Sequence, residues 1–170
     1  ELLNAINEEI GDTLIIAEDL GVVTKEVTRV LEMSGYPGMK LMQFGFDANP
    51  RNSNLPRHFS SNCVVYGGTH DNETLRGYFE NAGSQIRANA RKALRTKRNR
   101  QLVWTIIEAA FRSKADTVIV QIQDYLELDN SARMNTPSTI GGNWCWRLLQ
   151  GQATPQLAHR IAELSEKHRR

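Results

Sequence analysis

The chain has 170 residues, 40% of them hydrophobic and 24% charged, which is enough for one soluble domain with a real core. Its 21 basic and 19 acidic side chains leave a net charge of only +2, too weak a field to hold nucleic acid or a membrane surface, so the expected substrate is uncharged or weakly charged. No apolar run approaches the roughly 20 residues that span a bilayer, and no signal-peptide pattern opens the sequence.

Residue 1 is Glu and the first Met is Met33, while Leu2, Leu3, Ile6 and Ile10 keep helical spacing from the outset, so the sequence reads as part of a longer protein. Gly11-Asp12 stops that helix. The run TLIIAED (13–19) is apolar, rich in β-branched residues and too short for a helix, which predicts a buried strand. Thr24 can cap a helix carrying Val27, Val30 and Leu31, which SGYPG (34–38) ends before a second predicted strand, KLMQFGF (40–46). A loop rich in Asn, Ser and Pro (47–62) leads to the third, CVVYGG (63–68). Residues 101–113 form a strongly apolar helix, and DTVIVQIQD (116–124) is the fourth strand. Thr154-Pro155 supplies an N-cap and first-turn proline for a last helix with Leu157, Ile161 and Leu164 on one face. Cys63 and Cys145 lie far apart, in apolar and tryptophan-flanked settings, and read as reduced and buried, hence an intracellular, cytoplasmic protein.

Strands apolar on both faces and separated by helices predict an α/β fold with a covered parallel sheet. Carboxylates recur at the strand ends: Glu18 and Asp19, Asp47, Asp71 and Asp124. In a (β/α)8 barrel that is the face where active sites are built, and four strands are half a barrel. Acidic residues at strand ends are also common helix caps, and Asp19, Asp47 and Asp124 taken singly fit that role equally well.

Several acids at one barrel mouth suit chemistry at an acetal carbon. Retaining glycosyl transfer needs a carboxylate nucleophile about 5–5.5 Å from a carboxylic acid that first protonates the leaving oxygen and later deprotonates the acceptor. Glu18 follows four apolar or small residues, so desolvation should keep it protonated; Asp71, among His70, Asn72 and backbone amides, should stay ionised. A metal-dependent hydrolase on His70, Asp71 and Glu18 is a weaker reading, because the four histidines are scattered at 58, 70, 159 and 168. The basic run RANARKALRTKRNR (87–100) has no interleaved aromatics and reads as a solvated helix face. Trp144 and Trp146 suit sugar stacking and, equally, pinning of the last helix to the core.

Five blocks carry a resemblance: IIAEDLGVVT (15–24), GYPGMKLMQFGFD (35–47), VVYGGTHDNET (64–74), QDYLELDNSARMNTPST (123–139) and GNWCWRL (142–148). In order and approximate spacing they resemble the 4-α-glucanotransferases, the amylomaltase or disproportionating-enzyme family. The resemblance implies the C-terminal half of a (β/α)8 TIM barrel, four parallel strands with covering helices over residues 1–170 including the closing helix 154–170. It implies transfer of an α-1,4-glucan chain from a donor maltooligosaccharide to the 4-hydroxyl of glucose or a glucan acceptor, without cofactor or metal. Carried over by motif, Glu18 is the general acid/base, Asp71 the transition-state-stabilising acid and His70 a partner of sugar hydroxyls. Phe44 resembles an acceptor-side aromatic, and Asn135 a binding residue. The family's nucleophile lies in an R-x-D-H-F-R-G block that has no counterpart among the seventeen residues before Glu18. A non-catalytic carbohydrate-binding or assembly piece is the alternative. Half a barrel leaves strand edges at 13–19 and 116–122 open to self-association.

Overall fold

A computed structural model describes residues 2–11, 13–21, 23–96 and 102–170. Three parallel strands form its sheet in the order β1 (Gly38–Leu41), β2 (Cys63–Tyr66) and β3 (Thr117–Ile119). The register pairs Met39 with Val64 and Val65 with Val118, so the apolar run 63–66 lies in the middle and is buried along most of its length. Side chains alternate across the sheet. Cys63 and Val65 point into the core under the helices, while Tyr66, with Met39 and Leu41 of β1, faces an open cleft.

The helices that build the core are α3 (Leu75–Asn81), α4 (Ser84–Leu94), α5 (Leu102–Phe111) and α7 (Pro155–Lys167); α1 (Leu2–Ile10), α2 (Lys25–Ser34) and the single turn α6 (Ile122–Tyr125) complete the set. Helix α5 is apolar except at Thr105 and Glu108 and correspondingly buried, with Ile106 and Ile107 in the same core cluster as Val65, Leu75 and Phe79. Helix α7 begins as its sequence requires, with Thr154 Oγ1 accepting from the Leu157 amide at 3.1 Å and Pro155 in the first turn. It seats Leu164 on α5, places the Arg160 guanidinium 3.4 Å from the Trp104 ring centroid, and pairs Lys167 with Glu108. Thr24 likewise caps α2, which Gly35 ends in the left-handed conformation at φ 72°.

Three expectations need correction. The run 13–19 pairs only at Ala17, which bridges Gly38 in parallel, so the described residues hold three strands and one bridge instead of four strands. A strand is made by its ladder partners, and Leu14 and Ile16 stay 90% and 44% exposed with none. In the second segment the strand ends at Leu41 and Met42–Phe46 turns into a 3₁₀ helix. There the Leu41 amide donates to Asn54 Oδ1 and the Gln43 amide to the Gly67 carbonyl, while a Cβ on Gly45 would run into the Asn54 carbonyl. The fourth segment leaves the sheet after Ile119 and forms α6, so Asp124 sits in a helix rather than at a strand tip.

Cys63 is buried as expected, but Cys145 is exposed because 142–148 runs as irregular backbone over the cleft instead of into the core. Burial also pushes the Cys63 thiol up, which lowers its thiolate fraction. An Ellman titration of the native chain should therefore show one fast thiol that Cys145→Ser removes and a second released only by denaturant; two fast thiols would contradict this packing.

Within the basic run, Arg87 donates to the Phe79 carbonyl at 3.1 Å, Ala90 and Leu94 are buried, and residues 97–100 lie outside the described residues. No helix among the described residues is long and apolar enough to cross a membrane.

Candidate active site

The segment VVYGGTHDNET passes from β2 to α3 through a loop whose base is bolted by long-range hydrogen bonds. Gln121 Nε2 donates to the carbonyls of Gly68 and Thr69 at 2.8 and 2.9 Å, and Gln43 Nε2 to that of Glu73 at 2.6 Å. A Cβ on Gly68 would overlap the Gln43 amide, so glycine lets that side chain pass beneath the loop. At the tip, Asn72 Oδ1 accepts from the Thr69 amide and hydroxyl at 2.8 and 2.9 Å, and its own amide donates back to the Thr69 carbonyl at 3.1 Å. This tight turn projects His70 and Asp71 beyond the end of the strand.

A second segment, 133–135, runs against that tip. The Asn135 amide donates to the His70 carbonyl at 3.0 Å, and Arg133 donates from Nη2 to the Asp71 carbonyl at 2.7 Å and from Nε to the Asn135 carbonyl at 2.8 Å. Asn135 Nδ2 reaches the Asp71 carboxylate at 2.5 Å, and the other neighbour of that oxygen is His70 Nε2 at 3.4 Å. Asp71 thus has a fixed rotamer while its side chain remains 46% exposed.

Both groups open into a cleft of about 1070 Å³, whose walls include Glu18, Phe44, His70, Asp71, Trp144 and Trp146. Glu18 enters from the residue after the Ala17 bridge, Phe44 from the 3₁₀ turn after β1, and the tryptophans from the segment after 140. Glu18, Phe44, His70 and Asp71 therefore line one cavity, and Asn135 donates to the Asp71 carboxylate. Glu18 and Asp71 project from tips separated by β1, not from neighbouring ones.

The expected burial of Glu18 is not found: Glu18 is exposed, at an edge run where Leu14 and Ile16 also stand open. Instead Asp124 is the acid that burial raises, to about 7, partly offset by the hydrogen bond it accepts from the Leu75 amide at 2.7 Å. The other strand-end carboxylates are structural. Asp19 accepts from the Met39 amide at 2.6 Å and lies 3.7 Å from Lys40, and Asp47 accepts from the Asn49 amide at 3.0 Å. Among the described residues no three His, Cys, Asp or Glu side chains are grouped to hold a metal ion.

Residues 1–152 match the sequence pattern of the family described as 4-alpha-glucanotransferase. The chain belongs to the 4-alpha-glucanotransferase family. It is 42% identical over 166 residues to the 4-alpha-glucanotransferase of Clostridium butyricum, covering 97% of this chain and 34% of that protein. It is 45% identical over 147 residues to the chloroplastic enzyme DPE1 of Arabidopsis thaliana, covering 86% of this chain and 26% of that protein. Among solved structures it resembles the amylomaltase of Streptococcus agalactiae in complex with acarbose, with a TM-score of 0.93 at 35% identity over 99% of this chain and 34% of that one. The chain thus spans about a third of the length of these bacterial relatives.

Sequence reading missed Gln43, Gln121 and Arg133 in this 4-alpha-glucanotransferase segment. Arg133 lies two residues before Asn135 in the block 123–139 and was within reach of motif reasoning. Gln121 had no local mark: it follows an alternating apolar run, and its partners at Gly68 and Thr69 are more than fifty residues away in the chain.

Proposed function

We propose that residues 1–170 form the C-terminal half-barrel segment of the catalytic domain of a 4-α-glucanotransferase, acting on maltooligosaccharides with glucose or glucans as acceptors. The observation that carries this reading is the opening of Glu18, His70, Asp71 and Phe44 into one cleft. Glu18 protonates the oxygen leaving the anomeric carbon as a carboxylate nucleophile, supplied by the part of the protein outside this chain, bonds to that carbon. The acceptor 4-hydroxyl then attacks, the glycosyl–carboxylate bond breaks, and Glu18 takes the hydroxyl proton. The Asp71 carboxylate stabilises the oxocarbenium-like transition states, His70 bonds sugar hydroxyls, Phe44 contacts the acceptor-side ring, and Asn135 holds Asp71. The acarbose held by the Streptococcus agalactiae relative supports α-glucan ligands of this class. An exposed free thiol at Cys145 suits a reducing, cytoplasmic setting.

Leu14, Val27, Val30 and Met33 stand exposed, an apolar surface against which the remaining barrel or a second copy would seat. Two preparations test the reading together: the isolated chain, and a chimera in which it replaces the matching third of the Clostridium butyricum enzyme. The isolated chain should run above monomer size and release no glucose from maltotriose, whereas the chimera should disproportionate it. A folded but inactive chimera, or an active isolated chain, would overturn the proposal.

A further inference from the structure

Trp144 sits in the left-handed region at φ 62°. Gly141 and Gly142 just before it reach φ 83° and 73° without penalty, but a bulky side chain enters that region only at a conformational cost. The conformation is fixed from both sides. The Trp144 amide donates to the Met134 carbonyl at 2.6 Å, and Arg147 Nη1 donates to the carbonyls of Trp144 and Trp146, each at 2.8 Å. Asn143 ties the same turn to the 136–139 loop, accepting from the Thr136 amide at 2.9 Å and donating to Thr139.

Burial does not repay this cost, since Trp144 is 51% exposed. Nor does Trp144 pin the last helix, whose tryptophan contact is Trp104 through Arg160. The indole meets the His70 ring in a tilted pair, with centroids 5.0 Å apart and planes inclined at 40°, and it lines the same cleft as Asp71. A pyranose ring has an apolar C–H face and a hydroxyl rim. An aromatic plane flanked by an imidazole and a carboxylate matches both.

We propose that Trp144 is a sugar-stacking residue, held in a strained backbone conformation so that its indole receives the C–H face of a glucose unit next to His70 and Asp71. This rests on the α-glucan reading above and adds to it a binding residue and the purpose of the 142–148 turn. Stacking draws on the indole face, whereas the strain belongs to the backbone, so substitutions at one position separate the two.

The test is calorimetric titration of the chain with maltoheptaose, beside thermal melts. Trp144→Ala should weaken binding about tenfold and Trp144→Phe by less. Trp144→Gly should bind as weakly as Trp144→Ala yet melt roughly 3 °C higher, because glycine accepts the positive φ. On the unaltered chain, nuclear Overhauser contacts should join the Trp144 indole to maltoheptaose C–H protons, a readout needing no variant. Failure of the unaltered chain to bind maltoheptaose would sink the α-glucan reading and this one together. Saturable binding without indole contacts, or Trp144→Ala binding within twofold, would overturn the stacking role alone, and Trp144→Gly melting below Trp144→Ala would overturn the strain.

Discussion

Replacing Asp71 by Asn in the active chimera should lower kcat for maltotriose disproportionation by about 10²–10³-fold while KM stays within a few-fold. The reason is the way this carboxylate is held. Asn135 Nδ2 donates to Asp71 Oδ1 at 2.5 Å, the Asp71 carbonyl accepts from Arg133, and the Asn72 turn fixes the loop independently of the carboxyl group. An asparagine can still accept from Asn135 through its amide oxygen, so the tip keeps its shape and loses only the negative charge. Charge matters most when the anomeric carbon becomes cationic, so the loss falls on the transition state and spares ground-state binding. Asn135→Ala is the contrasting case: it keeps the charge and frees the rotamer, and the expected loss is about tenfold. Steady-state kinetics on the two variants decide the matter. Equal losses in both, or a D71N enzyme within tenfold of the unaltered chimera, would assign Asp71 a structural role.

What could be read from the sequence divides along the range of the interactions involved. Helix α5 is strongly apolar along most of its length and Thr154-Pro155 announces the start of α7, and both are local patterns that the structure keeps. The parallel sheet was likewise legible, because buried strands flanked by helices leave little choice. Short apolar runs were not. KLMQFGF satisfies a strand and a 3₁₀ turn equally well, and the choice rests with Asn54 and Gly67, residues that meet the run only in three dimensions. In the site, the matched blocks brought Glu18, Phe44, His70 and Asp71 to one cleft. Glu18 is exposed where the sequence predicted burial, because burial depends on tertiary neighbours. A short apolar run does not exclude water where Leu14 and Ile16 themselves stand open at a sheet edge.

The acid that tertiary structure does desolvate gives the second large effect. Asp124 is 1% exposed, accepts from the Leu75 amide through Oδ1, and leaves Oδ2 buried without a partner beside Gly67. Its folded pKa of about 7 lies above an ordinary unfolded value near 4. Between those values the folded chain keeps a proton that the unfolded chain has released. Stability is therefore full below about pH 4, declines by about 1.4 kcal/mol per unit as pH rises toward 7, and levels off above. Urea unfolding of the unaltered chain should thus lose roughly 3 kcal/mol between pH 5 and pH 8 relative to Asp124→Asn, whose amide oxygen accepts from Leu75 and carries no charge to desolvate. Because the comparison is a difference between two chains sharing every histidine, other titrations cancel. Parallel pH profiles would show that Asp124 is solvated in solution and that the packing around Gly67 and Leu75 is looser than described. The same carboxyl closes the loop that carries His70 and Asp71, touching its first residue and anchoring the helix that follows it. Asp124→Ala should therefore behave unlike Asp124→Asn: it strips the Leu75 amide of its acceptor, opens a gap beneath the loop, and destabilises the chain at every pH.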